Sequence, residues 1–178
     1  NSRSFQCQPL SSKPASAPES VPASFDCLCC GHCCKGRGGI VVSAKDLKRL
    51  CGHLGMTAEL FEATWGERHG NKLHIRAGDD GSCVFFNENT GCTVHVAKPD
   101  ICRAWPYFRG NLLDPDSLEL SKEFCPGIPS TLSHTDFVRQ GMACLVREGL
   151  IGAAGSDEAN ALQVADLLAS LAKNTKTR

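Results

Sequence analysis

The chain of 178 residues carries 19 basic and 19 acidic side chains, and 42% of its residues are hydrophobic. A chain of this length can bury a core of its own, and its balanced charge gives no support to nucleic acid or an anionic membrane as a partner. No apolar run approaches the roughly 18 residues that a membrane-spanning helix needs, so the twelve cysteines are the feature that remains to be explained.

The N-terminal segment differs in composition from the rest of the chain. Residues 1–24 are rich in Ser, Pro and Ala and have few large apolar side chains, so we expect a flexible leader. Residues 25–178 are expected to form one domain, with a cysteine motif core at 25–127 and a helical part at 128–178. The leader lacks an apolar signal-peptide region, and a cytoplasmic location is expected. Because the chain begins at Asn1, a removed export signal is left open.

Two helices are predicted near the start of the domain. The apolar stretch 40–42 predicts a strand, and a capping box follows it, with Ser43 as N-cap and Asp46 three residues later. This helix should end at Gly55, because glycine is favoured just after a helix. A second short helix is predicted to begin after Thr57.

The middle of the chain has the periodicity of β-structure. Residues 71–78 alternate in the manner of a strand, and residues 82–95 predict two short strands around the turn "NENTG". Cys83 and Cys92 would lie on the two arms of this hairpin. A hairpin with cysteines near its ends is a usual way to present thiolates to a metal ion.

After residue 130 the chain is predicted to be helical. Ser133 and Asp136 mark the start of one helix, and Ser156, followed by acidic residues, marks the start of the last. The last helix has a wide apolar face, which predicts packing into the domain or against a protein partner. The expected fold class is α+β: a small, cysteine-rich, metal-bound domain with short β-hairpins, about four helices and a helical C-terminal part.

Five cysteines lie in the run "CLCCGHCC". The spacing C-x2-C-x2-C-C selects Cys27, Cys30, Cys33 and Cys34 and leaves Cys29 as an extra. Two residues between cysteines allow a tight turn to aim both thiolates at one ion, whereas disulfides within so short a run would be strained. Adjacent cysteines have diverging side chains, so Cys33 and Cys34 are predicted to serve two metal ions or one polynuclear centre.

Eight cysteines remain as ligand candidates once those in predicted helices, in the leader and at position 29 are set aside. They are Cys27, Cys30, Cys33, Cys34, Cys83, Cys92, Cys102 and Cys125. Two closed four-coordinate metal sites require eight ligands. The sequence therefore predicts a metal-binding protein with up to two ions.

The stretches "CLCCGHCC" and "CVFFNENTGCTVHVAKPDICRAWP" together resemble the CxxCxxCC, or YkgJ-like, cysteine-cluster family, which is described as zinc- or iron-chelating. The resemblance runs from Phe25 to Pro106. It implies metal ligation by the cysteines that match its two blocks, which are Cys27, Cys30, Cys33, Cys34, Cys83, Cys92 and Cys102. The chain departs from the family pattern at Lys98, Trp105 and His95, and an imidazole at His95 is a further candidate ligand.

The residues leave the identity of the metal open, because zinc and iron both accept thiolates. Cysteine pairs from two separate segments suit zinc. The C-x2-C-x2-C spacing of Cys27, Cys30 and Cys33, and the Cys-Pro step at Cys125, are typical of iron–sulfur ligands. The predicted function is zinc chelation in a structural or metal-handling role. The alternatives are an iron or iron–sulfur protein that acts as a redox or enzyme component, and a disulfide-rich exported domain.

No complete catalytic motif is present. His32, His95 and Glu88 are candidates for an acid or base beside an open zinc position, but the chain has neither an HExxH nor a deaminase signature. The resemblance extends to the cysteine-rich part of flagellin lysine N-methylases, which implies a connection to protein lysine methylation. The glycines at 36–39 precede a strand instead of following one, the wrong order for a cofactor-binding loop. Binding of a metal ion is therefore favoured over catalysis.

Overall fold

The computed structural model describes residues 24–36 and 39–175, with side chains through residue 170. Apart from Ser24, the predicted leader lies outside the described residues. The β-structure of the described part consists of two small antiparallel sheets.

The first sheet has three strands in the order β1-β3-β2. They are β1 (Val41–Val42), β2 (Gly66–His69) and β3 (Lys72–Ile75). β2 and β3 form a hairpin in which His69 pairs with Lys72 across a turn that includes Gly70. The second sheet is the hairpin of β4 (Phe86–Asn87) and β5 (Gly91–Cys92), which confirms the hairpin predicted around "NENTG".

Seven α-helices lie within the described residues, where about four were expected. They are α1 (Ala44–Leu54), α2 (Ala58–Trp65), α3 (Asp100–Ala104), α4 (Arg109–Leu113), α5 (Pro115–Phe124), α6 (His134–Glu148) and α7 (Ala165–Thr175). The sequence did not predict α3, α4 and α5, because Pro99, Pro106 and Pro115 divide this stretch into segments too short to show a helical period. None of the seven combines the length and hydropathy that crossing a bilayer requires. The α+β class is confirmed.

The predicted caps of α1, α2 and α6 are confirmed. Asp46 N donates to Ser43 Oγ at 3.3 Å and Ser43 N donates to Asp46 Oδ2 at 3.1 Å, which completes the capping box of α1. Thr57 and Ser133 accept hydrogen bonds from the first turns of α2 and α6. Gly55 follows α1 at a φ of 68°, the left-handed conformation that glycine adopts at little cost.

The last helix begins later than predicted. α7 starts at Ala165 and not after Ser156, because the intervening acidic side chains contact α1. Asp157 Oδ2 accepts a hydrogen bond of 2.6 Å from the first backbone N–H of α1, and Glu158 Oε1 forms a 2.5 Å ion pair with Lys45. These tertiary contacts outweigh the local preference of an acidic segment for its own helix N-terminus.

Two clusters of buried apolar side chains form the core. One cluster lies between the three-stranded sheet, α1, α2 and the second hairpin, and it contains Cys83 with Cys34 and Cys92 packed against it. The other is built by the helices from α3 onward and contains Cys125 with Cys102 packed against it. Ile40 packs against both clusters, so the candidate ligands come from both halves of the core.

Candidate metal centre

Five of the predicted ligands form one group of interacting thiols. Cys33 interacts electrostatically with each of Cys34, Cys83, Cys92 and Cys102. These cysteines come from three parts of the chain, namely the cysteine run, the second hairpin and α3. We call Cys34, Cys83, Cys92 and Cys102 the inner thiols. The fold therefore brings together residues that are far apart in the sequence.

Backbone contacts hold the cysteine run against the second hairpin. Cys83 N donates to Cys34 O at 2.7 Å, and Lys35 and Ser82 form the adjoining β-bridge. Cys83 lies just before β4, while Cys92 in β5 pairs with Phe86 of β4. Cys92 thus lies on an arm of the hairpin as predicted, whereas Cys83 precedes β4 and forms an isolated bridge with Ala77.

Backbone groups act on the acidity of two of the inner thiols. Burial raises the pKa of both Cys83 and Cys92. Backbone hydrogen bonding from Phe85 and Phe86 at Cys83, and from Val94 at Cys92, favours the thiolate and opposes this rise. Metal-ligating side chains are usually oriented by outer hydrogen bonds of this kind.

The adjacent thiols differ in acidity. A hydrogen bond from the Cys34 thiol to Cys33 lowers the pKa of Cys33 to about 6. The same bond, together with burial, raises the pKa of Cys34. The Lys98 ammonium group also favours the thiolate form of Cys33, and of Cys92 and Cys102. One member of the adjacent pair is therefore a thiolate at neutral pH in the metal-free protein.

In the metal-free protein, Cys33 is expected to be the thiol that iodoacetamide modifies first at neutral pH. Because the thiolate is the nucleophile, its labelling rate should fall only as the pH drops through about 6. Timed labelling and peptide mass spectrometry measure this rate. Cys34→Ala removes the hydrogen-bond donor and should move the midpoint upward, whereas Cys144→Ala should leave it unchanged. A wild-type midpoint near the ordinary thiol value of about 8.5 would contradict the prediction.

The remaining predicted ligands lie in two segments that run beside each other. We call Cys27, Cys30 and Cys125 the outer thiols. Asp26 N donates to Gly127 O at 3.0 Å, and His32 Nδ1 donates to Phe124 O at 2.5 Å. These two contacts flank the outer thiols on both segments and so align the cysteine run with the end of α5.

Close packing fixes the outer segments around Cys125. The thiol of Cys125 is buried, and its sulfur accepts a hydrogen bond of 3.4 Å from Trp105 Nε1. A Cβ added to Gly127 would lie 2.1 Å from Asp26 O, so only glycine allows this approach of the two segments. Trp105 was assigned to the family block from the sequence, but its contact with Cys125 was not predicted. No local sequence pattern reveals a contact between residues 20 positions apart.

The chemistry of the donor set fits a thiolate-bound metal. All eight predicted ligands are free cysteines, whereas Cys29 is disulfide-bonded. Among the residues that the structure describes, no three His, Cys, Asp or Glu side chains are already arranged to hold one ion. Soft thiolates favour zinc, iron–sulfur clusters and copper(I) over hard cations.

The acid–base candidates have other contacts. His32 donates to a backbone carbonyl of α5, as described above. His95 Nε2 lies 3.4 Å from Lys98 Nζ, and burial together with the Lys98 charge lowers the pKa of His95. Glu88 is exposed in the turn between β4 and β5. Both histidines thus have a structural contact that does not depend on catalysis.

A buried ionic network holds α3, and with it Cys102, against α1. Arg49 Nη2 donates to Asp46 Oδ1 at 2.6 Å, to Asp100 Oδ1 at 2.8 Å and to Lys98 O at 2.9 Å. Asp46 Oδ1 also accepts from Asp100 N at 3.0 Å. From the sequence, Asp46 was assigned to the helix cap alone. The contact between Arg49 and Asp100 was not predicted, because 51 positions separate these two residues.

Gly31→Ala is expected to lower the free energy of unfolding by about 2 to 4 kcal/mol. Gly31 has a φ of 79°, and an added Cβ would lie 2.1 Å from Phe86 Cζ, so the ring that covers the cysteine run would have to move. Urea unfolding measures the loss. Gly81→Ala is the matched control, because Gly81 has a φ of 78° but open space around it, and its loss should be about 1 kcal/mol. Equal losses would contradict the close contact with Phe86.

Comparison with known families identifies one domain in the chain. A family model named CxxCxxCC and described as "Putative zinc- or iron-chelating domain" matches residues 26–126, more than half of the chain. The matched range contains all eight predicted ligands. Neither a curated protein nor a solved structure matches the chain.

Proposed function

Since this chain belongs to the CxxCxxCC family of zinc- or iron-chelating domains, we propose that it binds two zinc ions, each through four cysteine thiolates. The inner site would use the inner thiols, Cys34, Cys83, Cys92 and Cys102. The outer site would use the outer thiols, Cys27, Cys30 and Cys125, together with Cys33.

The observation that carries this proposal is that the adjacent pair lies, along the chain, between the contact of His32 with the end of α5 and the contact with the second hairpin. Cys34 O accepts a hydrogen bond from Cys83 N, and the Cys34 side chain packs in the same cluster as Cys83 and Cys92. Cys33 is the more exposed member of the pair and directly follows His32. We therefore assign Cys34 to the inner site and Cys33 to the outer site, so that on metal binding Cys33 would turn away from the hydrogen bond it accepts from Cys34 in the metal-free protein. The division leaves four thiolates for each ion.

The inner site supports a structural role for its ion. Its thiols are drawn from the cluster around the sheet and, through Cys102, from the helical cluster. An ion bound by both would tie the two halves of the core together, and the binding free energy would become folding free energy.

An iron–sulfur cluster in the outer site is the second candidate function. Cys27, Cys30 and Cys33 have the spacing of ferredoxin-like ligands, and the contact between Asp26 and Gly127 brings the Cys125–Pro126 step beside them. Three closely spaced cysteines and one remote Cys-Pro form a ligand set of the type that a four-iron cluster uses. The inner site would then keep a single zinc ion.

Titration of the reduced chain with Zn²⁺, followed by native mass spectrometry, tests the two-site proposal. We expect two zinc ions on the wild-type chain, and one on each of two double variants, Cys27→Ser with Cys30→Ser and Cys83→Ser with Cys92→Ser. Cys51→Ser with Cys144→Ser is the matched control, because both cysteines lie on helices outside the two groups, and it should keep both ions. A single ion on the wild-type chain would overturn the proposal.

A further inference from the structure

The thiols of the two proposed sites differ in their access to solvent. Cys27, Cys30 and Cys33 are exposed. In the inner site Cys83 is buried, and Cys34, Cys92 and Cys102 are partly buried. Three of the four residues of the outer site are therefore solvent-exposed, whereas none of the four residues of the inner site is.

The two sets of cysteines also differ in how firmly the backbone holds them. Cys92 lies in β5, Cys102 lies in α3, and the backbone of Cys83 is held by its hydrogen bonds with Cys34 and Phe86 and by its bridge to Ala77. By contrast, residues 24–30 form no helix or strand. Segments with few backbone contacts open at a lower free-energy cost than sheet or helix does. The segment that carries Cys27 and Cys30 can therefore open more readily than β5 or α3, whereas Cys125 is buried in the core.

We propose that the outer site exchanges its zinc ion with thiol ligands of another molecule, whereas the inner site retains its ion. This inference rests on the proposed two-site function and assigns a different role to each site. In the exchange, each incoming thiol loses a proton as it binds zinc, and each departing thiolate of Cys27 or Cys30 takes up a proton. Zinc stays divalent and no sulfur changes oxidation state, so the step needs no oxidant or reductant.

The test is the rate of zinc release from the fully loaded, reduced chain. Excess EDTA is the first acceptor, and a reduced synthetic peptide with two CxxC pairs is the second. With both acceptors we expect one ion to leave at least about tenfold faster than the other, since opening an exposed loop costs less than opening the core. Iodoacetamide added during release should label Cys27 and Cys30 in step with the fast phase, and Cys83 and Cys92 only with the slow phase.

The exchange inference and the proposed two-site function can fail separately in this experiment. Cys27→Ser with Cys30→Ser should abolish the fast phase and keep the slow one, whereas the Cys51→Ser, Cys144→Ser control should show both. Two ions that leave at one rate, or labelling of Cys83 and Cys92 during the fast phase, would overturn the exchange inference alone. A wild-type chain that holds only one ion before EDTA is added would overturn the two-site function, and the exchange inference with it. The labelling readout uses the wild-type chain, so it does not depend on any variant that fails to fold.

Discussion

Replacement of both Cys33 and Cys34 by serine is expected to release zinc from both proposed sites. In the proposed two-site arrangement, each member of the pair supplies one ligand to a different ion. A three-thiolate site with a neutral hydroxyl in the fourth position binds zinc more weakly, because the hydroxyl is a poor ligand for this soft site. Bound zinc per chain, measured by elemental analysis after gel filtration in the presence of a weak chelator, should fall by more than one equivalent.

The same double variant should also lose stability, because zinc-binding free energy in structural sites is on the order of 10 kcal/mol per ion. Its thermal midpoint should approach that of the metal-free wild-type chain. Cys51→Ser with Cys144→Ser removes the same number of sulfur atoms from α1 and α6 and should keep both ions. Loss of a single equivalent from the Cys33, Cys34 variant would show that both adjacent thiols serve one site or that one of them serves none.

Arg49→Leu is expected to lower the free energy of unfolding by about 2 to 4 kcal/mol, because it leaves two buried carboxylates without their shared cation. The side chains of Asp46 and Asp100 are only 3% and 4% exposed, whereas the side chain of Arg49 is 31% exposed. Because solvent partly screens the guanidinium group, the loss of unfolding free energy should be smaller than for a fully buried ion pair. Burial opposes ionisation of Asp100, yet the hydrogen bonds and charges of Lys45 and Arg49 hold its pKa below the ordinary value. Urea unfolding of the metal-free chain measures the change without a contribution from zinc.

The inner site should weaken as well, since Arg49 binds Lys98 O and Asp100 at the start of the helix that carries Cys102. Arg68→Leu is the matched control. Arg68 forms a bidentate pair with Glu62 on the surface, where the two side chains are 55% and 33% exposed, so its loss should be below about 1 kcal/mol. If Arg49→Leu costs no more than Arg68→Leu, the buried network does not hold α3 in place.

Local sequence signals were sufficient for several elements of this fold. The caps at Ser43, Thr57 and Ser133 and the hairpin around "NENTG" were predicted, because each depends on residues within a few positions of one another. The start of α7 was wrong, because Asp157 and Glu158 contact α1 across the fold. Tertiary contacts of this kind leave no trace in local periodicity.

In the candidate site, too, local spacing predicted some features and missed those that depend on tertiary contacts. Spacing alone selected the cysteines of the run and set Cys29 aside, and the structure has Cys29 in a disulfide and the other four as free thiols. Spacing could not reveal that Cys33 interacts with every inner thiol, that Trp105 donates to Cys125, or that Lys98 lies beside three of the sulfur atoms. These relations depend on how α3 and the second hairpin pack, which the sequence pattern does not encode.

Metal analysis of the wild-type chain, purified without oxygen and without added metal, shows directly whether the chain holds two zinc ions. Elemental analysis combined with the visible absorption spectrum distinguishes zinc from iron, since zinc bound by thiolates gives no visible absorption whereas iron–sulfur clusters are strongly coloured. We expect a colourless protein with about two zinc ions per chain and no acid-labile sulfide. A brown protein that contains iron and acid-labile sulfide would contradict the two-zinc proposal.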